Sequence, residues 1–174
     1  EKRLDTIAAN IANSSAPGFK RSSTATYSFD AVLGDRIERQ VAARNVTDFS
    51  QGPLTPSDGQ FDLALTGKGF FAVEGKNGEV YTRDGRFFVD DKGVLQTMEG
   101  LPVAWEGARG TVDPAGQPVT IDEEGSVRQG TQTIGKLRVV DFERYDQLKS
   151  VGGGFFAVPR NVSPTTSTAQ VHQK

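Results

Sequence analysis

The stretch Phe61-Asp62-Leu63-Ala64-Leu65-Thr66-Gly67-Lys68-Gly69-Phe70-Phe71-Ala72-Val73 predicts the fold class. Its first apolar residues, Phe61, Leu63 and Leu65, alternate with Asp62, Ala64 and Thr66, and a period of two is typical of a half-buried strand. The run from 70 to 73 is short, apolar and bounded by glycine, as in a buried strand. We therefore expect a mainly β protein with a Gly-rich β domain.

Turn signals continue this pattern along the chain. Asp90-Asp91-Lys92-Gly93 and Asp122-Glu123-Glu124-Gly125 both place Asp first and Gly fourth, which is typical of a type I turn. Asp84-Gly85 lies between two apolar runs and predicts a two-residue hairpin turn, because both central residues of a type I′ turn need positive φ. Asn77-Gly78 marks another turn of this kind.

Two further features extend the β domain to residue 159. Leu137 and Val139 alternate with Lys136 and Arg138, which predicts a late strand. The five residues of 69–73, Gly-Phe-Phe-Ala-Val, recur at 154–158. We interpret this repeat as two strands in similar packing environments.

Composition excludes several classes of protein. The chain has 174 residues, a formal charge of −2 and no Lys/Arg run, so the basic patch of a nucleic-acid-binding protein is missing. There is no apolar stretch near the roughly 20 residues that a membrane helix needs. The absence of cysteine excludes disulfides, thiolate metal sites and a cysteine nucleophile. With 20 Gly and 8 Pro, short strands are favoured over long helices.

The first segment, residues 1–16, predicts a short helix. Leu4, Ile7 and Ile11, with Ala12, fall at helical spacing and form one apolar stripe. Pro17-Gly18 ends the helix, because the residue before proline avoids helical geometry and glycine accepts the turn. A helix this short needs a partner for its stripe. That partner is either its own domain or another subunit, and the pattern alone leaves both open.

Polar segments flank the β domain. Residues 17–60 carry only scattered apolar side chains and predict an extended connector with weak strand content. Residues 160–174 are polar again and predict a return connector. The expected order is therefore helix 1–16, connector 17–60, β domain 61–159 and connector 160–174.

Residue types that could carry out chemistry are better explained as structural. Gly67-Lys68-Gly69 is followed by a strand, whereas a phosphate-binding loop needs a helix there. His172 is the single histidine, so the usual metal ligand set is missing. The densest carboxylates fall at predicted turns, where they stabilise the turn or are solvated: Asp90, Asp91, Asp122, Glu123 and Glu124. Trp105 favours core packing over a glycan-binding surface. We expect no enzyme activity, cofactor or metal.

Two blocks of sequence resemble flagellar rod and hook proteins. The run from Leu4 to Asn13, L-D-T-I-A-A-N-I-A-N, followed by P-G-F-K-R at 17–21, is similar to the N-terminal signature of that family. The run D-L-A-L-T-G-K-G-F-F-A-V at 62–73 and Y-T-R-D-G-R-F at 81–87 resemble its second block. The resemblance covers residues 4–21 and about 60–140, and the short β domain resembles proximal-rod members more than distal-rod members.

The resemblance implies a structural role without catalysis. In this family, helices from both chain ends form the inner layer of a hollow tube, a β domain forms the outer layer, and subunits exported by the flagellar type III apparatus assemble helically to transmit torque across the periplasm. The subunit-interface residues implied here are Leu4, Ile7, Asn10, Ile11 and Asn13, with Pro17 and Gly18 as the hinge into the connector.

The expected partners are other rod subunits, through the terminal helices, and the export apparatus. We expect no nucleic acid, no membrane insertion and export without a cleaved signal peptide. The family's usual opening residues before Glu1 and its C-terminal helix after Lys174 are missing from this sequence, so we expect a monomer in solution. The alternatives are a distal-rod or hook-type axial subunit, a secreted glycan-binding β module and a cell-wall hydrolase.

Overall fold

The computed structural model describes residues 2–33 and 36–173 and divides the chain into two compact units, residues 1–50 and 51–174. Strands dominate both units, and the one α-helix of the described residues lies at the N-terminal end. The predicted fold class, mainly β with a short N-terminal helix, is therefore confirmed.

The N-terminal unit consists of a helix and a long hairpin. Helix α1 spans Lys2–Ala12, strand β1 Ser22–Leu33 and strand β2 Arg36–Thr47. The two strands pair antiparallel without a register shift, from Ser22 opposite Thr47 to Leu33 opposite Arg36. The sequence predicted only weak strand content here. Thr24, Thr26 and Ser28 alternate with Ala25 and Tyr27, a period-two signal that the prediction of a connector did not use.

The second unit contains short strands and one 3-10 turn at Tyr145–Gln147. The strands are β3 Leu63–Thr66, β4 Phe70–Gly75, β5 Gly78–Thr82, β6 Phe87–Val89, β7 Leu95–Thr97, β8 Val119–Ile121, β9 Ser126–Gln129, β10 Gln132–Lys136, β11 Val139–Asp141, β12 Lys149–Gly152, β13 Phe155–Ala157, β14 Thr165–Thr166 and β15 Gln170–Gln173. Six of them form one sheet in the order β12-β13-β5-β4-β11-β14. The others form a sheet β10-β9-β8 and the pairs β15-β3 and β6-β7.

The core of the second unit lies between these sheets. Phe71, Val73, Val103 and Leu137 are fully buried in one cluster that also contains the two predicted inward residues of β3, Leu63 and Leu65. Burial of such side chains is the main stabilising term of a fold. The period-two prediction for β3 is confirmed.

Trp105 belongs to this core, as predicted, with 7% of its surface exposed. Two glycines pack directly on its ring. A Cβ added at Gly110 would lie 2.7 Å from the indole, and one at Gly135 would lie 2.9 Å from it. Because real Cβ atoms do not approach so closely, both positions require glycine for the ring to fit.

The repeated Gly-Phe-Phe-Ala-Val segments flank a single strand, β5. Phe71 of the first and Phe155 of the second both lie opposite Thr82, while Ala72 and Phe156 both lie opposite Tyr81. The two segments therefore pair with the same residues of β5, but the second segment is shifted by one residue relative to the first. An offset of one residue turns equivalent side chains to opposite faces of the sheet. Phe155 belongs to the central core cluster, whereas its counterpart Phe70 does not, so the interpretation of similar packing environments is wrong for equivalent residues.

A second aromatic cluster covers the other face of the six-stranded sheet. Phe70 packs within 6.0 Å of Phe142 and Phe156 and within 5.6 Å of Tyr145, measured between ring centroids. The guanidinium of buried Arg83 lies 5.1 Å from the centroid of Phe70. Its Nη2 donates to the carbonyl of Gly67 at 2.9 Å. This arrangement holds the Gly67-Lys68-Gly69 loop against the sheet, as expected of a structural loop.

The two Asp-x-x-Gly turns form as predicted. Gly93 N–H donates to the Asp90 carbonyl and Gly125 N–H to the Asp122 carbonyl, each at 2.9 Å. Both glycines have positive φ, 78° and 83°. Asp90 and Asp122 each accept two further backbone N–H groups with Oδ1, so these carboxylates are used by the turns themselves.

The predicted Asp84-Gly85 hairpin is wrong. Strand β5 pairs with β4 and β13, whereas β6 pairs with β7, so the chain changes sheets at this point. Gly85 has no positive φ. Instead its carbonyl accepts from Leu63 N–H at 2.9 Å, and a Cβ there would lie 1.9 Å from the Leu63 carbonyl oxygen. Glycine serves close backbone approach here and not a turn. A two-residue turn does form next to Asn77-Gly78, but its central residues are Lys76 and Asn77, because Gly75 pairs with Gly78. Asn77 lacks the positive φ of the predicted turn type.

The C-terminal segment also differs from the prediction of a polar connector. Strand β15 pairs antiparallel with β3, and Val171 enters the core with 2% exposure. His172 lies in this strand opposite Ala64. One buried valine in four residues is too weak a pattern to identify a strand from sequence.

Candidate subunit interface

Helix α1 attaches to the hairpin through its polar side. The hydroxyls of Thr6 and Thr24 share a hydrogen bond of 3.0 Å, and Thr6 is 8% exposed. One helical turn later, Asn10 Nδ2 donates to the Ser22 carbonyl at 2.6 Å, while Ser22 N–H donates to Asn10 Oδ1 at 3.0 Å. Thr6 and Asn10 are four residues apart, so they project from one face of the helix. That face is the one that docks.

The Asn10 amide binds β1 as a neighbouring strand would. It satisfies both the N–H and the carbonyl of Ser22, the two groups that a strand residue offers to one neighbour. Ser22 therefore presents these groups away from β2 and toward the helix. A single side chain thus caps the outer edge of β1 at its first residue.

The apolar stripe of α1 is left exposed. Leu4, Ile7 and Ile11 have exposed fractions of 70%, 46% and 69%. With 3.6 residues per turn, the stripe lies roughly 110° around the helix from the mean direction of Thr6 and Asn10. An ordinary surface helix buries its apolar side and exposes its polar side. Helix α1 does the reverse, which leaves the stripe available to a partner.

The chain reverses direction between the helix and β1 at the predicted hinge. Helix α1 ends at Ala12, and Ala16 N–H then donates to the Asn13 carbonyl, followed by Phe19 N–H to the Ala16 carbonyl. Gly18 has φ of 68°, in the region where glycine is unstrained. The proposed hinge residues Pro17 and Gly18 therefore lie in the turn that brings β1 alongside the helix.

The proposed interface residues fall into two groups. Leu4, Ile7 and Ile11 share the exposed stripe, whereas Asn10 lies on the docking face and binds Ser22. Asn13 Nδ2 donates to the Ala9 carbonyl of its own helix at 2.8 Å and is exposed. Thr6 was not among the predicted interface residues, although a threonine and an asparagine spaced four apart in a helix were a signal that one polar face is in use.

Hydrogen bonds and one ion pair connect the two ends of the hairpin. Ser50 N–H donates to Asp48 Oδ1 at 3.0 Å, and Lys20 Nζ donates to the Ser50 carbonyl at 2.7 Å. The hydrogen bond from Ser50, with a smaller effect of Arg21 at 3.5 Å, lowers the pKa of Asp48. These groups are solvated, so the contacts fix local geometry and add little to stability.

A polar cavity of about 590 Å³ in the second unit bears on the glycan-binding alternative. Its lining includes Arg109, Asp113, Gln117 and Gln129 but no aromatic side chain. Arg109 is paired with Glu74. The Gln129 amide is occupied by the Asp113 N–H and the carbonyls of Asp113 and Gln117. Two polar side chains of this lining, Arg109 and Gln129, are thus engaged within the chain.

Neither grouped metal ligands nor a membrane-spanning helix occurs in the described part of the chain. Over residues 2–33 and 36–173, no three acidic or histidine side chains are grouped as metal ligands. Within the same ranges, no helix has the length and apolar character to cross a membrane.

Comparison with known protein families places both the helix and the β unit. Residues 1–20 match the family described as flagella basal body rod protein. Residues 64–129 match the family described as the flagellar hook protein FlgE/F/G D1 domain. The first match contains α1 and the hinge, and the second contains strands β4 to β9.

Individual relatives extend the match to nearly the whole chain. The flagellar basal-body rod protein FlgF of Caulobacter vibrioides is 35% identical over 99% of this chain and 74% of its own length. FlgF of Mesorhizobium japonicum is 30% identical over 98% of this chain and 72% of its own. The rod protein FlgG of Buchnera aphidicola is 30% identical over 88% of this chain and 67% of its own length. The signature blocks, the β unit and these matches, which cover most of this chain, agree, and the chain belongs to the flagellar basal-body rod protein family.

Proposed function

We propose that this chain is a structural subunit of the flagellar rod, placed in its proximal part, and that it transmits torque as one member of a helical assembly. The rod family consists of structural proteins and not of enzymes, and its members interact with other rod and hook subunits in the basal body. The proximal position is supported by the two FlgF relatives, which match 99% and 98% of this chain.

The assembly role rests on the way in which α1 is attached, with its polar side docked on the hairpin and its apolar stripe exposed. Hydrogen bonds from Thr6 and Asn10 hold the helix to its own hairpin, so the apolar stripe is not needed for folding of this unit. Leu4, Ile7 and Ile11 lie at the spacing of a helix–helix seam. We assign the stripe to helices of neighbouring rod subunits. Contacts between unlike surfaces of neighbouring subunits propagate a filament and do not close a dimer.

The route to the rod is part of the proposal. We infer export through the flagellar export apparatus without a cleaved signal peptide. The lack of cysteine supports this inference, because a chain without thiols forms no disulfide that would hinder passage through a narrow channel.

Immunogold electron microscopy on purified basal bodies tests the proposed position. Antibody against residues 51–174 is expected to label the lower rod. Label on the upper rod would support an axial subunit of the distal rod instead. The similarity to FlgG makes this the second candidate. Basal bodies that expose the whole rod and carry no label would refute the assignment.

A further inference from the structure

The two ends of the second unit lie side by side. Strands β3 and β15 pair antiparallel, with Leu63 opposite Gln173 at one end of the ladder and Thr66 opposite Gln170 at the other. The backbone therefore reaches β3 and departs from β15 at the same end. A force that separates residues 60 and 173 would open this ladder one pair at a time, beginning at Leu63 and Gln173.

The side chain of Gln173 joins three segments at that end. Its Nε2 donates to the carbonyl of Gln60 at 2.7 Å and to that of Val119 at 3.1 Å. Its Oε1 accepts from Ile121 N–H at 2.6 Å. Val119 and Ile121 are alternate residues of β8, so the amide occupies the place of a further strand residue at this edge of the β10-β9-β8 sheet. All three bonds cross between segments distant in sequence.

The ladder protects part of the core. Val171, Leu65 and Leu63 are 2%, 3% and 6% exposed and belong to the central cluster. Only four residue pairs hold β15 to β3. Separation of the first pair would remove the support of the second, and water would then reach Leu63.

We propose that Gln173, through these three hydrogen bonds, is a mechanical clasp that keeps the second unit closed when load passes through its two chain ends. In an unzipping geometry the bonds are loaded one after another, so the first bonds set the rate of opening. At equilibrium the same bonds contribute only a small part of the total free energy of unfolding. The clasp is therefore expected to affect opening under load far more than thermal stability.

Force spectroscopy on the 174-residue chain tests the clasp. The natural chain has no cysteine, so Asp58→Cys and a cysteine added after Lys174 give two unique attachment points. At constant load, Gln173→Ala is expected to raise the opening rate at least about fivefold, the factor for one hydrogen bond of ordinary net strength. Gln173→Glu keeps an acceptor for Ile121 but loses both donated bonds, and we expect a similar increase.

Gln170→Ala is the matched control. Gln170 lies in the same strand at the far end of the ladder, where its Nε2 donates to Glu123 at 3.2 Å. This variant should open at the natural rate. A second control attaches the load at Lys76→Cys and Lys92→Cys, two exposed positions outside the Gln60 segment and the β3–β15 ladder, and there Gln173→Ala should open within about twofold of the natural chain. Equal rates for Gln173→Ala and Gln170→Ala, or the same acceleration along both axes, would overturn the proposal. Because the isolated chain is measured, neither result depends on the assignment to the rod.

Discussion

Single glycines determine whether the turns of the second unit close. Gly93 and Gly100 have φ of 78° and 80° and both end a turn, but their surroundings differ. A Cβ at Gly93 would lie 2.2 Å from the Val112 carbonyl oxygen, whereas one at Gly100 would have nothing within 4 Å. Substitutions at these two glycines therefore distinguish the cost of backbone strain, which both share, from the cost of a steric clash, which only Gly93 has.

We expect Gly100→Ala to lower the free energy of unfolding by about 1 kcal/mol, the usual cost of a left-handed conformation for a non-glycine residue. Gly93→Ala carries the same strain and must also displace the 112 carbonyl, so its cost should exceed about 3 kcal/mol. Urea unfolding of the two variants measures both values. Equal losses would show that the backbone at 112 yields without penalty.

Two tyrosines of the second unit, Tyr81 and Tyr145, predict an alkaline transition. Burial, followed by the nearby carboxylate of Glu79, raises the pKa of Tyr81 to about 12. Burial and the hydrogen bond to Asp141, 2.6 Å long, raise the pKa of Tyr145 to about 12 as well. The unfolded chain ionises near the ordinary value of about 10. The stability from these shifts is thus complete below pH 10 and is lost as the pH rises toward 12.

A spectrophotometric titration of phenolate absorbance checks this expectation. Two of the three tyrosines should ionise only near pH 12, and Tyr81→Phe should remove one of these two high-pH contributions. Unfolding experiments at pH 9 and pH 11 should show lower stability at the higher pH. Ionisation of Tyr81 and Tyr145 with midpoints near 10 would contradict the burial argument.

At the scale of elements, the apolar stripe of α1 predicts that charged side chains placed in it will prevent assembly. Ile7→Asp together with Ile11→Asp in the full-length protein should abolish incorporation into rods, because two carboxylates would have to be desolvated in the seam. Ala9→Asp is the matched control, since Ala9 is exposed on nearly the opposite side of the helix. Swimming in soft agar and rod recovery in basal bodies give the readout. Normal rods in the double variant would refute the seam.

Sequence patterns predicted the elements whose signal is local. The Asp-x-x-Gly turns formed because Asp90 and Asp122 hydrogen-bond to N–H groups of their own turns. The alternation in β3 marked the core because one face of that strand is buried.

Elements that depend on distant partners were missed. Asp84-Gly85 carries the same residues as a hairpin turn, yet Gly85 is required by the Leu63 backbone, 22 positions earlier in the sequence. Strand β15 exists because β3 accepts it. On helix α1, spacing identified the apolar stripe, but the attachment of Asn10 to Ser22 could not be predicted from the helix alone.

At the scale of the whole molecule, the small size of the stripe predicts the oligomeric state. Three side chains on an 11-residue helix cannot bury the roughly 1,200 Å² that a stable interface needs. We therefore expect the 174-residue chain to be a monomer by multi-angle light scattering up to millimolar concentration. In a tube, each subunit would add several such contacts at once, and their combined effect would exceed any single one. A stable oligomer that persists on dilution would contradict this expectation.

The polar attachment of α1 has a thermodynamic consequence. Release of the helix from the hairpin breaks the bonds of Thr6 and Asn10 but uncovers little apolar surface, because the stripe is already in water. Heat-capacity change and denaturant sensitivity both scale with the surface that is uncovered. The release of α1 should therefore have a heat-capacity change near zero and a very small urea dependence, unlike the opening of the second unit. The enthalpy of helix release should then have the same value in cold and in warm water.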